Sequence, residues 1–228
     1  MGFGHGSKAK VYANGYDLTP YLTSFGASGS ADTSEVTVLG NGSKAYLAGL
    51  KDATFSGEGF YAAGVNEVDP VLRAALGTDN VVWAYMPQGD TFSAPGYGFT
   101  SVETSYEVSS PVDGVTDISV EAQSSSGLEP VQVLHEWKAE SAAGQGGNIV
   151  ASAATSSGAV GYLVLAAGTS VVVKIEHSTD GTTFSTLLTF TTATGPTAER
   201  KEVTGTVNRY VRVTWDKACT FWAGFYRR

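Results

Sequence analysis

An all-β protein with one short helix is what this sequence predicts, on three observations. Gly is abundant at 28 of 228 residues, and charged residues make up only 16%. Together with frequent Ser and Thr, that is the composition of strands joined by many turns. Two segments, Tyr97–Val108 and Val115–Gln123, alternate polar and apolar residues with period two, which puts one face of a strand on a core and the other in water. From Tyr162 onward, short apolar runs recur between turn signals at the spacing of a sandwich or jelly roll.

Taken in order, Lys8–Tyr12 reads as a first strand after a glycine-rich arm over residues 1–6. Asn14-Gly15 is a turn signal, because both residues tolerate positive φ. Leu18–Phe25 reads as extended or irregular, and Gly26–Thr33 as a small-residue loop. Ser34–Leu39 and Ala53–Tyr61 read as strands flanking a connection over Gly40–Asp52, which is far longer than the ~2–5 residues of a tight hairpin. Such a loop on a β-framework is either functional or floppy, an assembly arm or an exposed hairpin tip. It carries Tyr46, Leu47 and Leu50, apolar groups that need burial somewhere.

The helix spans Asp69–Gly77, with Asp69 as N-cap, Pro70 at the first helical position and Gly77 past its end. Val81–Met86 is a short apolar strand, and Pro87–Gly96 is a turn-rich loop. On Tyr97–Val108, Ser101, Glu103, Ser105 and Glu107 share the polar face; on Val115–Gln123, Asp117, Ser119, Glu121 and Gln123 do. If these strands pair, Glu103, Glu107, Asp117 and Glu121 come together.

Ser124–Pro130 has the composition of a domain boundary. The expected organisation is a first domain over 1–130, a linker over 131–140 that reads as a connecting strand, and a second domain over 141–228. In the second, Tyr162–Ala166, Val171–His177, Phe184–Thr192, Glu199–Val203, Tyr210–Trp215 and Thr220–Tyr226 read as strands. Arg200, Arg209 and Arg212 are expected to pair with Glu199, Glu202 and Asp216 or to stay solvated.

The net charge of −8 is uneven: 5 basic and 15 acidic residues through His135, then 9 basic and 7 acidic. An acidic first half argues against phosphate-backbone binding, which needs Lys and Arg to displace counterions. A like-charged wall can still let DNA slide past. The lone Cys219 makes no internal disulfide and reads as a buried apolar residue. The N-terminus lacks the apolar core of a signal peptide, and no apolar run approaches ~20 residues, so a protein made in the cytoplasm without a membrane span is expected.

His5, His135 and His177 are far apart, and no nucleophile elbow, phosphate-binding loop or metal motif is present. His177–Gly181 lacks the later acidic ligands of a calcium loop and reads as a turn. No catalytic residue, cofactor or metal is therefore assigned.

Ser7–Phe25, the run from Ser34 through Tyr61 and Asp69–Gly77 together resemble the major tail tube proteins of long-tailed, siphovirus-like bacteriophages, over residues 4–123. Val171–Trp215 resembles galactose-binding-like, discoidin-type β-modules. The first resemblance implies a β-sandwich or barrel that self-assembles into stacked hexameric rings, the conduit for DNA ejection. Partners would be further copies of the chain, a tape-measure protein, and tail-tip and tail-terminator proteins. DNA would pass through the lumen without specific binding, and the protein would end in the virion. Glu103, Glu107, Asp117 and Glu121 would then line the bore rather than form an ordinary solvated face. Asn41, Ser43, Lys44, Tyr46, Leu47 and Leu50 would contact the next ring or a neighbouring subunit. The C-terminal unit would decorate the exterior. The alternative is a carbohydrate-binding or adhesion module, with the aromatic cluster Trp215, Phe221, Trp222, Phe225 and Tyr226 as its platform.

Overall fold

The structure, a computed structural model, describes residues 5–40 and 42–228. The chain begins with β1 (Lys10–Ala13), β2 (Tyr16–Asp17), β3 (Leu22–Glu35) and β4 (Tyr46–Phe60), followed by helix α1 (Val68–Ala75). Next come β5 (Val81–Met86), β6 (Pro95–Ser109), β7 (Asp117–Ser124) and β8 (Glu129–Glu140). The C-terminal half adds β9 (Gly144–Gln145), β10 (Ile149–Val150), β11 (Ala159–Ala167), β12 (Val173–Ser178), β13 (Ser185–Thr189), β14 (Thr197–Val203), β15 (Tyr210–Trp215) and β16 (Cys219–Arg227). Among the described residues the fold is all-β with one short α-helix, plus a single 3-10 turn at Gly6–Lys8 before β1, as the composition and periodicity require.

Eleven strands join one sheet, ordered β14-β11-β16-β8-β6-β5-β1-β2, with β7, β4 and β3 branching from β6 in that sequence. The branch exists because β6 serves two partners. Its first half pairs with β5 and β8, and its second half, Ser101–Ser109, pairs with β7. A second sheet of five strands runs β10-β15-β12-β13, with β9 on β15.

Three apolar cores separate the layers. The first holds Phe55, Leu72, Trp83, Phe99 and Val120, packing α1, β4 and β7 on one face of β1, β5 and β6. The second holds Tyr12, Val82, Met86, Val131, Val133, Tyr162 and Trp222, so the other face of β1 and β5 packs on β8, β11 and β16. The third lies between β11 and β16 and the five-stranded sheet, with Leu163, Leu165, Ile175, Val213 and Phe221. Strands β5 and β11 are thus buried on both faces, which is why VVWAYM and AVGYLVL are continuous apolar runs rather than alternating ones.

Polar contacts stitch the same junction. Tyr12 Oη donates to Asp90 Oδ2 at 2.7 Å, Trp137 N–H donates to the same oxygen at 2.8 Å, and the two rings stack at 4.6 Å. Arg200 grips Glu129 through two hydrogen bonds of 2.7 and 2.8 Å, and the Tyr162 hydroxyl donates to the same carboxylate.

Several expectations shift. The segment expected as a linker, 131–140, lies within β8, a central strand bonded to both β6 and β16. Its neighbour Ser124–Pro130, with the composition of a boundary, holds a short turn between β7 and β8. The helix starts earlier than expected. Glu67 occupies the N-cap, and Asp69 is a buried carboxylate in the first turn, accepting from Tyr106 Oη at 3.0 Å. Residues 26–33, expected as a loop, belong to β3, since backbone pairing with β4 holds a strand whose small side chains pack little. Arg200 pairs with Glu129 and Glu202, and Arg212 with Glu176, while Arg209 Nε donates to the Ala151 carbonyl.

Candidate assembly surfaces

The alternation that marks β7 as one-sided extends across four strands, β3-β4-β7-β6. In register, one outward row reads Ser24, Glu58, Ser119, Glu107; the next reads Gly26, Ser56, Glu121, Ser105. A third sets Phe60, Asp117 and Ser109 side by side. Side chains directly opposite share a face, so Glu58, Glu107, Asp117 and Glu121 form one acidic surface. Every ion pair among the described residues lies elsewhere, so no Lys or Arg neutralises this one.

Glu58 was missed in the sequence. Its signal was present, because Ala53, Phe55, Gly57 and Gly59 turn inward and alternate with Thr54, Ser56 and Glu58. Glycines at two of the inward positions hid the period.

Glu103 is corrected. It pairs with Ala122, and the following pair is Ser105 with Glu121, so Thr104 is an extra, bulged residue. A β-bulge resets which side chains face the core. Glu103 therefore points inward and is fully buried, with no hydrogen-bond partner for either carboxyl oxygen. Burial alone raises its pKa to about 8, so it is a neutral acid at pH 7. It is not part of the acidic face.

The second surface is the β3–β4 hairpin, which runs beyond the core as an arm exposed from Ser28 to Asp52 among the described residues, except for half-buried Ala45. Its connection is shorter than expected. Val36 N–H donates to the Ala45 carbonyl at 2.8 Å, and Lys44 bridges to Glu35 at 2.9 Å. Tyr46, Leu47 and Leu50 thus lie on β4 rather than in a loop, while Ser43 and Lys44 lie in the connection. Asn41 lies outside the described residues. Val38 (65% exposed), Leu47 (61%) and Leu50 (81%) are joined on the arm by exposed Val36, Leu39 and Tyr46. Loose apolar residues are ordinary on a surface, whereas several together on a projecting arm make it a candidate contact surface.

A second set of exposed apolar residues lies at the other end of the same sheet, where Phe60 and Tyr61 at the end of β4 adjoin Val108 on β6 and Val112 and Val115 in the β6–β7 turn. At ~3.3 Å per residue, β4 separates the two clusters by roughly 45 Å. The sheet's two lateral edges are open as well. Among the described residues β3 pairs only with β4, and the outer half of β6 pairs only with β7 beyond the single bridge of Glu103 to Leu76.

The C-terminal aromatic run does not form a sugar platform. Trp215, Phe221, Trp222 and Phe225 are core residues. Within His177–Gly181, Asp180 Oδ1 accepts the Thr182 and Thr183 N–H groups at 2.8 Å and the Ser178 hydroxyl, which is a turn held by its own backbone. His135 is buried between the Phe221 carbonyl and Glu140, and His177 Nδ1 accepts the Asn208 N–H.

No protein-family model matches the chain, and no curated protein matches it. Solved structures similar to it at low identity include the following three. A chain from the tail of an empty gene transfer agent (GTA) particle, refined with helical C6 symmetry, is 19% identical, covers 55% of this chain and 97% of its own, and has a TM-score of 0.46. A chain of the virion of the native GTA particle is 17% identical over 55% of this chain and 97% of its own, with a TM-score of 0.44. A chain of the phage p2 baseplate, in its activated conformation with Sr, is 7% identical over 96% and 98%, with a TM-score of 0.37.

Proposed function

We propose that this chain is a non-enzymatic structural protein of a phage-type tail, whose copies join into stacked hexameric rings that form a tail tube. The observation that carries the reading is a sheet left open on both edges and bearing an exposed apolar arm. Long unpaired edges template association, and a closed ring removes them. In this reading β3 of one copy lies along the outer half of β6 of the next, which closes the ring. The arm of one ring, through Leu47, Leu50 and Tyr46, reaches the Phe60–Val112 end of the ring beside it. Such head-to-tail contacts propagate without limit, as a tube requires.

Ring closure turns the face of Glu58, Glu107, Asp117 and Glu121 toward the axis. Uncompensated carboxylates there would repel a polyanion and keep DNA mobile during ejection. Residues 1–130 supply the tube and residues 141–228 its exterior. Tape-measure, tail-tip and terminator proteins are the further partners, all within the virion.

Negative-stain electron microscopy with sedimentation over a concentration series tests this, on the wild-type chain and on Leu47→Asp/Leu50→Asp. Rings or hollow tubes from the wild type, lost in the variant, are the expected result. A wild-type chain that stays monomeric even with its tail-tip and tape-measure proteins present would overturn it.

A further inference from the structure

Glu103 takes no part in these surfaces, yet it is fully buried on β6, paired with Ala122 of the first core, and it is not the only buried polar group left without a partner on β5 and β6. Ser101 Oγ on the same strand and Trp83 Nε1 on β5 are also buried without a hydrogen-bond partner. A buried carboxyl with nothing to bind is costly and calls for a reason.

Its inward position depends on a single residue. Were Thr104 not bulged, alternation would send Glu103 outward with Ser105 and Glu107. Moving the bulge one residue toward the N-terminus would put Thr104 opposite Ala122 in its place. Thr104 is exposed and its hydroxyl donates only to the Glu121 carbonyl, at 3.2 Å. The same step would disturb the end of α1, because the Glu103 carbonyl accepts the Gly77 N–H at 2.9 Å and Leu76 bridges to Glu103.

The surrounding charged groups leave Glu103 alone. On α1, Asp69 binds Tyr106 of β6, and Arg73 lies 3.6 Å from Asp69. On β7 and β4, Asp117, Glu121 and Glu58 occupy the opposite face, as does Glu107 on β6 itself. Strand β5 carries Tyr85 and no charged residue.

We propose that Glu103 is a proton-controlled latch on the β6 bulge. Protonated, it stays in the core and the bulge rests at Thr104. Ionised, it leaves the core for the acidic face, the bulge steps toward the N-terminus, and the end of α1 loosens. Its pKa is raised from 4.5 to about 8 by burial. Between those values the folded chain holds a proton that the unfolded chain has released, so the closed form loses stability as pH rises through that window and is unchanged beyond it.

The test is amide NMR of the dilute, unassembled full chain between pH 5.5 and 9.5, for wild type and Glu103→Gln. The Gly77, Thr104 and Ser105 amides of the wild type should titrate together with one midpoint near 8. In Glu103→Gln they should stay fixed. Amides that do not move in the wild type, or that move equally in the variant, would overturn the latch. Should Glu103→Gln not fold, the wild-type titration decides alone. Thermal midpoints on the same samples should fall between pH 5.5 and 8 in the wild type and level off above. Because no step involves assembly, failure of the tail reading leaves this test intact.

Discussion

The two ends of the eleven-stranded sheet treat charge and edges in opposite ways. Around β11 and β14, carboxylates are answered: Glu129 and Glu202 share Arg200 and Arg228, and on the neighbouring sheet Glu176 holds Arg212. Around β4 and β7, Glu58, Glu107, Asp117 and Glu121 stand together with no cation. The five-stranded sheet ends in short strands, two residues in β10 and five in β13, whereas β3 leaves fourteen residues of edge unpaired. Short edges are how a finished protein avoids sticking to itself. The contrast teaches that the C-terminal half answers its own charges, while the β3–β4–β7–β6 sheet leaves its carboxylates and its long edge unanswered within the described residues, which is what the proposed assembly would complete.

The largest effect tests whether the ends are one folding unit. Trp222 fills the core shared by β5 and β11. Trp222→Ala should cost about 3–5 kcal/mol, read as a lowered midpoint of a single denaturant transition. Two separate transitions, with the N-terminal one unmoved, would show the halves to be independent and break the comparison.

Next comes the paired cluster. Arg200→Ala leaves Glu129 mostly buried, with the Tyr162 hydroxyl and, as its one remaining cation among the described residues, the more distant Arg228 at 3.4 Å. The expected loss is about 2–3 kcal/mol, below the full ~3–5 of a broken buried pair because Arg228 and solvent compensate. Glu58→Gln, by contrast, should leave the monomer's stability within about 0.5 kcal/mol of wild type. Equal losses from the two substitutions would erase the claimed difference between the ends.

How much of this was readable from sequence divides along the same line. Where a strand is buried on both faces or alternates cleanly, as in β5 and β15, the segment limits match those read from the residues. The turn at Asn14-Gly15 also stands, with φ of 47° and 97°. The arm was found through Tyr46, Leu47 and Leu50, but its pairing was not, because the Gly26–Thr33 half of the hairpin holds its place by backbone bonds that leave no side-chain pattern. Strand β8 was legible as a connecting strand over Val131–Glu140, but its central place in the sheet was not, because its partners β6 and β16 are remote in sequence. Glu103 was placed on the wrong face because a bulge adds one residue without any mark in the local sequence. Glu107, Asp117 and Glu121 lie beyond that bulge and share a face, as the alternation implied.

The smallest effect on the folded monomer belongs to the acidic face itself, and it separates stability from purpose. Like charges across neighbouring strands are destabilising, and each cross-strand pair is worth about 0.2–1 kcal/mol. Glu121 sits between Ser56 and Ser105, one row from Glu58 and Glu107. Replacing both Glu107 and Glu121 with Gln should therefore raise monomer stability by a few tenths of a kcal/mol, an increment that shrinks as salt is added. If the face is a conduit wall, assembled particles carrying this substitution should still form but should eject DNA more slowly, as the wall becomes less repulsive. A substitution that lowers monomer stability would mean the carboxylates serve the fold. Particles that form and eject at the wild-type rate would leave the face without a role in passage.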